Sequence, residues 1–91
     1  MIILNEKEYA ENCLQNGIVD NKPFITLSVL AKYYYYIHGY RKKRITKALI
    51  EYLSKNYPRY ELDEISWNTS IEKIASNVGS YPLYQINGVK I

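Results

Sequence analysis

The chain has 91 residues, 47% of them hydrophobic, and a formal net charge of +3. This length and composition suit a single domain over residues 1–91 with one modest core, and they do not fit a disordered chain. The single cysteine, Cys13, excludes an internal disulfide, and no apolar run approaches the roughly 20 residues that span a bilayer. We therefore expect a cytoplasmic protein that does not contact a membrane.

The spacing of apolar residues predicts the first two helices. Residues 6–16 form the first, closed by Gly17, because glycine readily adopts the left-handed conformation that ends helices. The second follows a turn, with Thr26 or Ser28 as its N-cap, and ends at Gly39. The residues of this second helix that recur at core spacing are Leu27, Leu30, Ala31, Tyr34, Ile37 and His38.

Two more amphipathic helices follow. The third ends before Pro58, because the residue before a proline avoids helical geometry, and the fourth is capped by Asp63 or Ser66 and stops at Gly79. The predicted core positions are Ile45, Ala48, Leu49, Tyr52 and Leu53 in the third helix and Trp67, Ile71, Ile74, Ala75 and Val78 in the fourth.

The end of the chain is typical of a β-hairpin. Residues 83–86 and 89–91 are apolar-rich segments joined by Asn87-Gly88, which favours a type I′ turn. A two-stranded hairpin is marginal alone, so we expect it to pack on the helices, pair with a strand at residues 2–4, or find a partner chain. The predicted fold is a compact, mostly α four-helix domain with a small C-terminal β-hairpin.

The sequence offers little for catalysis. His38 is the only histidine, and no cluster of cysteines, histidines and carboxylates has zinc-binding spacing. There is no nucleophile elbow and no glycine-rich phosphate loop. Most carboxylates fall at helix starts or on solvent faces, where they suit the helix dipole. We expect a non-enzymatic protein without a metal or cofactor.

The second and third helices, separated at Gly39, resemble a helix-turn-helix. In that motif the second helix enters the major groove and needs basic and polar side chains on its outer face. Gly39 and Ile45 have the spacing of the turn glycine and core aliphatic of the motif, whereas Tyr35 stands where the motif has a small residue. The five basic side chains at the start of the third helix, here called the basic cluster, are Arg41, Lys42, Lys43, Arg44 and Lys47. The residues predicted to reach the groove are Lys43, Arg44, Thr46 and Lys47, with Arg41 and Lys42 on phosphates.

Three tyrosines extend this surface. Tyr33, Tyr36 and Tyr40 share one flank of the second helix, at i, i+3 and i+7, and lead into the basic cluster. The surface admits three interpretations: a solvated loop in a lysine-rich chain, a nucleic-acid site, or a protein-binding site with tyrosine and arginine anchors. Nucleic acid could be a duplex, with a homodimer as one option, or single strands whose bases stack on tyrosine. The protein alternative is an inhibitor or adaptor of phage or mobile-element type.

Overall fold

The structure, a computed structural model, describes residues 6–18 and 22–80 of the chain. Within these ranges the fold is mostly helical, with four α-helices and no strand. Two short 3₁₀ turns, Pro58–Leu62 and Val78–Ser80, flank the last helix. The helices are α1 (Glu6–Asn16), α2 (Pro23–Tyr36), α3 (Lys42–Asn56) and α4 (Glu64–Asn77).

Gly17 closes α1 as predicted, whereas α2, predicted to end at Gly39, ends at Tyr36, and Gly39 closes the turn that follows. Gly17 has φ of 85°, and its N–H donates to the carbonyl of Cys13 at 2.9 Å, so α1 ends where the sequence indicates. Gly39 has φ of 69°, and the Tyr40 N–H after it donates back to the carbonyl of Tyr34 at 3.0 Å. These bonds satisfy carbonyls that a helix end leaves without an intrahelical partner.

The start of α2 differs from the prediction. The helix begins at Pro23, since proline at the first helical position has no N–H to leave unpaired. Thr26 is buried, and its hydroxyl donates to the Lys22 carbonyl at 3.0 Å; the Ser28 hydroxyl donates to the Phe24 carbonyl at the same distance. Both are interior helical residues bonded to the preceding turn, so the prediction that either caps α2 is wrong.

Helix α2 is the central element of the fold, because it packs against α1, α3 and α4. It is therefore buried on more than one side, and no single stripe describes its core face. Ile37 and His38, predicted to face the core, lie in the turn after α2 and are exposed, because the chain has left the helix there. The α2 residues that are buried are Thr26, Leu27, Val29, Leu30, Ala31 and Tyr33.

Helix α3 follows its predicted pattern. Its buried residues are Ile45, Leu49, Tyr52 and Leu53, spaced at one helical face. The Tyr52 hydroxyl donates to the carbonyl of Cys13 at 2.8 Å, which ties α3 to the end of α1. Cys13 is itself fully buried in the core.

The predicted face of α4 is mostly buried. Ile71, Ala75 and Val78 lie in the core, whereas Trp67 is only half-buried, with its ring edge-on to Tyr57 at 5.7 Å. The expectation that Trp67 is fully buried is therefore wrong. It stands in the first turn of α4, near the exposed edge of the core, where Tyr57 covers one side of it.

The predicted hairpin at residues 83–91 and the candidate strand at residues 2–4 lie outside the described residues. Of the helices that the structure describes, none combines the length and the apolar character needed to cross a membrane.

Candidate functional site

The basic cluster occupies the N-terminal end of α3. Arg41 is the N-cap residue, with extended backbone at φ of −89° and ψ of 170°, and the helix begins at Lys42. Lys42, Lys43 and Arg44 therefore stand in its first turn, which contains no acidic residue. Lys47 follows Lys43 at i+4, so the two lysines project from the same face of α3.

All five side chains of the basic cluster are exposed, and Thr46 between them is half-buried. In residues 6–18 and 22–80, none of the five forms an ion pair with a carboxylate; the ion pair seen there joins Lys32 to Glu6. Their positive charges are therefore open to a partner in solution.

The charge of the molecule is concentrated at this cluster. The chain has 12 lysines and arginines and 9 aspartates and glutamates. Residues 41–47 contain five of the basic residues and no acidic one, which leaves seven basic against nine acidic side chains elsewhere. Outside the cluster the chain is thus slightly acidic, so an anionic partner would be attracted toward the start of α3.

The position of the cluster is unfavourable for the helix itself. The N-terminus of a helix carries partial positive charge, and a cation in the first turn opposes it by about 0.3–1 kcal/mol. Three such cations stand in the first turn of α3. Because no carboxylate of the described chain offsets them, their placement does not serve the local stability of α3.

An aromatic group supports one member of the cluster. The rings of Tyr34 and Tyr40 stack at 5.3 Å with 9° between their planes, and His38 lies 5.5 Å from Tyr40. The guanidinium of Arg44 sits over the Tyr40 ring at 4.2 Å, within cation–π range. Tyr34 and His38 were predicted only as core residues. Their contacts with Tyr40 could have been predicted from its position directly after the turn glycine, because an apolar residue there folds back onto the end of the preceding helix.

The three predicted tyrosines do not form one exposed flank. Tyr33 is only 7% exposed, because α1 covers that side of α2. Burial raises the pKa of Tyr33, and the nearby Glu11 carboxylate raises it further. Tyr36 is half-buried, with its ring edge-on to that of Tyr35 at 4.9 Å. Tyr40 contacts a basic side chain, Arg44, whereas Tyr33 is not on the surface that a binding residue requires.

Tyr35 is the residue at which the sequence departs from the helix-turn-helix motif, which has a small residue there. It is 40% exposed, and its hydroxyl lies 3.4 Å from the point where a Cβ on Gly79 would stand. The side chain thus packs beside the turn that follows α4. A large residue at this position is accommodated there, so the departure from the motif does not prevent α2 and α3 from packing.

The exposed cations of the basic cluster are suited to binding an anion. In the described ranges, no group of three or more histidines, cysteines or carboxylates lies close enough to bind a metal ion. No protein-family model, curated protein or solved structure matches the chain. The functional inference therefore rests on the exposed, unpaired cations at the start of α3.

Proposed function

We propose that this protein binds double-stranded DNA through the basic cluster. One observation carries the proposal: five exposed cations, none of them in an ion pair within the described chain, are gathered at the N-terminal end of one helix. A duplex presents a dense row of phosphates, and lysines and arginines that contact them gain affinity by releasing counterions. The slightly acidic remainder of the chain favours one orientation on such a partner.

A duplex is favoured over single strands because the tyrosines are largely occupied. Base stacking needs aromatic faces that are free. Tyr33 is buried, and the Tyr40 ring already contacts Tyr34 and Arg44. The same contacts weaken the alternative of a protein-binding surface with tyrosine anchors, since an anchor has to enter a pocket of its partner.

The side chains of α3 divide into two roles. Lys43, Lys47 and the half-buried Thr46 lie on the part of α3 that would face the groove. Arg44 is held over Tyr40, so less conformational entropy is lost when it forms a bidentate contact to phosphate or guanine. Arg41 and Lys42 precede them and would contact the phosphate backbone. DNA is preferred to RNA because the major groove of A-form RNA is too narrow for such a helix.

Fluorescence anisotropy with one labelled oligonucleotide, as a duplex and as a single strand, tests the proposal. Three to five phosphate contacts predict a slope of log affinity against log salt of about −2.7 to −4.5 on a duplex. Affinity should then fall by about 40- to 500-fold between roughly 50 and 200 mM salt. We expect tighter binding to the duplex. Tighter binding to the single strand would reject the duplex, and no binding at low salt would reject nucleic acid altogether.

Two triple variants separate the cluster from net charge. Lys43→Glu, Arg44→Glu and Lys47→Glu together should abolish binding. The control replaces three exposed lysines elsewhere in the chain and carries the same formal charge. Its substitutions are Lys22→Glu, Lys55→Glu and Lys73→Glu. The control should retain most of the affinity, and equal losses in both variants would contradict a specific role for the start of α3.

A further inference from the structure

A second surface, at the junction between α3 and α4, exposes large apolar side chains. Leu62 is 81% exposed and Ile65 is 85% exposed, and Phe24 beside this junction is 55% exposed. We propose that Phe24 and Leu62, here called the apolar patch, bind the apolar patch of a second copy of this chain. Ile65 is not part of it, because Trp67 and Ser70, the α4 residues beside Phe24 and Leu62, lie about 140–160° around the helix from Ile65. This dimer contact lies away from the basic cluster and does not depend on the proposed function.

Helix geometry explains why Leu62 and Ile65 lie outside the core. Ile65 precedes the buried Ile71 by six residues, a rotation of about 240° around α4. Leu62 follows the buried Tyr60 by two residues in a 3₁₀ turn, which is again about 240°. With Tyr60 and Ile71 turned inward, Leu62 and Ile65 are directed away from the core that residues 6–18 and 22–80 form.

A recess adjoins the projecting side chains. It measures ≈ 470 Å³, and its apolar lining includes Phe24, Leu62 and Trp67. The same face therefore carries both an apolar projection and an apolar recess. A two-fold contact requires this property, because each copy has to present to the other the surface that it receives.

Charges at the rim of the recess are also self-complementary. Arg59 and Asp63 both line the recess and are exposed, and in the described part of the chain neither forms an ion pair. A two-fold axis through the apolar patch brings Arg59 of one copy toward Asp63 of the other, and the reverse. A second copy thus supplies the opposite charges, which a partner of unspecified chemistry need not.

Sedimentation velocity of the full chain without nucleic acid tests the dimer. Over micromolar to sub-millimolar concentrations we expect a monomer–dimer equilibrium for the wild type. Leu62→Glu and Phe24→Glu should each weaken it by at least about tenfold, because each places a charge at the centre of the contact. Both side chains are more than half exposed, so circular dichroism and thermal unfolding should show an unchanged fold. Leu14→Glu and Ile65→Glu, at exposed apolar residues outside the apolar patch, are the matched controls and should dimerise normally.

A charge exchange tests the two-fold arrangement itself. Arg59→Asp should weaken the dimer, and adding Asp63→Arg in the same chain should restore it, since the pair is re-formed across the axis with opposite signs. A wild type that stays monomeric at all concentrations would overturn the proposal, including the case in which the apolar patch binds another protein. A dimer that resists both Leu62→Glu and Phe24→Glu would overturn it too, because the contact would then lie elsewhere.

Discussion

The two ends of α3 differ in chemistry but share one property. At its start, the first turn of the helix carries three exposed cations and no carboxylate. Beyond its end, the chain turns through Pro58–Leu62 and exposes apolar side chains at Leu62 and Ile65. Neither arrangement stabilises the isolated chain, because cations oppose the helix dipole and apolar side chains order water. The buried middle of α3 stabilises the fold, and both ends are available to partners.

The largest expected change in stability distinguishes the buried middle of α3 from the exposed turn that follows the helix. Leu49→Ala removes a fully buried side chain and should lower the free energy of unfolding by about 2–5 kcal/mol. Leu62→Ala, at a mostly exposed leucine, should change it by no more than about 0.5 kcal/mol. Urea unfolding at a low, monomeric protein concentration measures both values. A loss above 2 kcal/mol for Leu62→Ala would place that residue in the core, and the apolar patch would lose its principal member.

Strongly alkaline pH should destabilise the protein through Tyr52, which is buried in α3. Burial, and secondarily the neighbouring Cys13, raise the pKa of Tyr52 well above its ordinary value of 10.0. Above pH 10 the unfolded chain loses this proton while the folded chain keeps it, so the folded state is disfavoured as pH rises. Stability should be unaffected by this group below pH 10 and then fall, by up to about 1.4 kcal/mol per pH unit. Thermal unfolding between neutral pH and strong alkali measures the decline.

Tyr52→Phe isolates that contribution. The variant loses the hydrogen bond to the Cys13 carbonyl and should be less stable at neutral pH by about 1 kcal/mol. It should also lose stability less steeply above pH 10, because one buried phenol is gone. Burial also raises the pKa values of Tyr33 and Tyr34, so part of the decline should remain. An unchanged slope would show that Tyr52 ionises as readily in the folded chain as in the unfolded one.

The core residues of a helix are predicted well from the sequence when the helix is buried on one face, and less well when it is buried on several. Helix α3 packs through one face, and its apolar spacing identifies that face correctly. Helix α2 is surrounded by three other helices, so a single stripe accounts for only part of its core, and Tyr33 was misplaced for this reason. Apolar spacing also assumes that large apolar residues face inward. It gives no reason to expect Leu62 and Ile65 at the surface, because that depends on how the turn enters α4.

In the candidate site, too, one feature follows from the spacing of residues along a helix and another does not. The exposure of the basic cluster follows from the pattern of α3, since the burial of Ile45 and Leu49 turns Lys43 and Lys47 outward. The contacts of Tyr40 do not follow from spacing along one helix. They depend on Gly39, whose left-handed backbone brings Tyr40 back onto Tyr34. A pattern within one element cannot report a contact made across a turn.

The smallest predicted effect tests whether the basic cluster destabilises the fold. Lys43→Gln keeps a long side chain of similar helix propensity but removes a cation from the first turn of α3. It should raise the free energy of unfolding by about 0.3–1 kcal/mol. Lys55→Gln is the matched control, because Lys55 is an exposed lysine in the last turn of the same helix. There the cation suits the dipole, so the substitution should lower stability by a similar amount.

The directions of the two changes in stability, for Lys43→Gln and for Lys55→Gln, together decide the role of Lys43. A variant that gains stability while losing DNA affinity is expected where a residue is retained for binding at the expense of folding. If Lys43→Gln destabilised the protein as Lys55→Gln does, then Lys43 would be stabilising the start of α3. The position of the cluster would in that case no longer argue for a ligand, and the salt dependence of DNA binding would have to support the proposal alone.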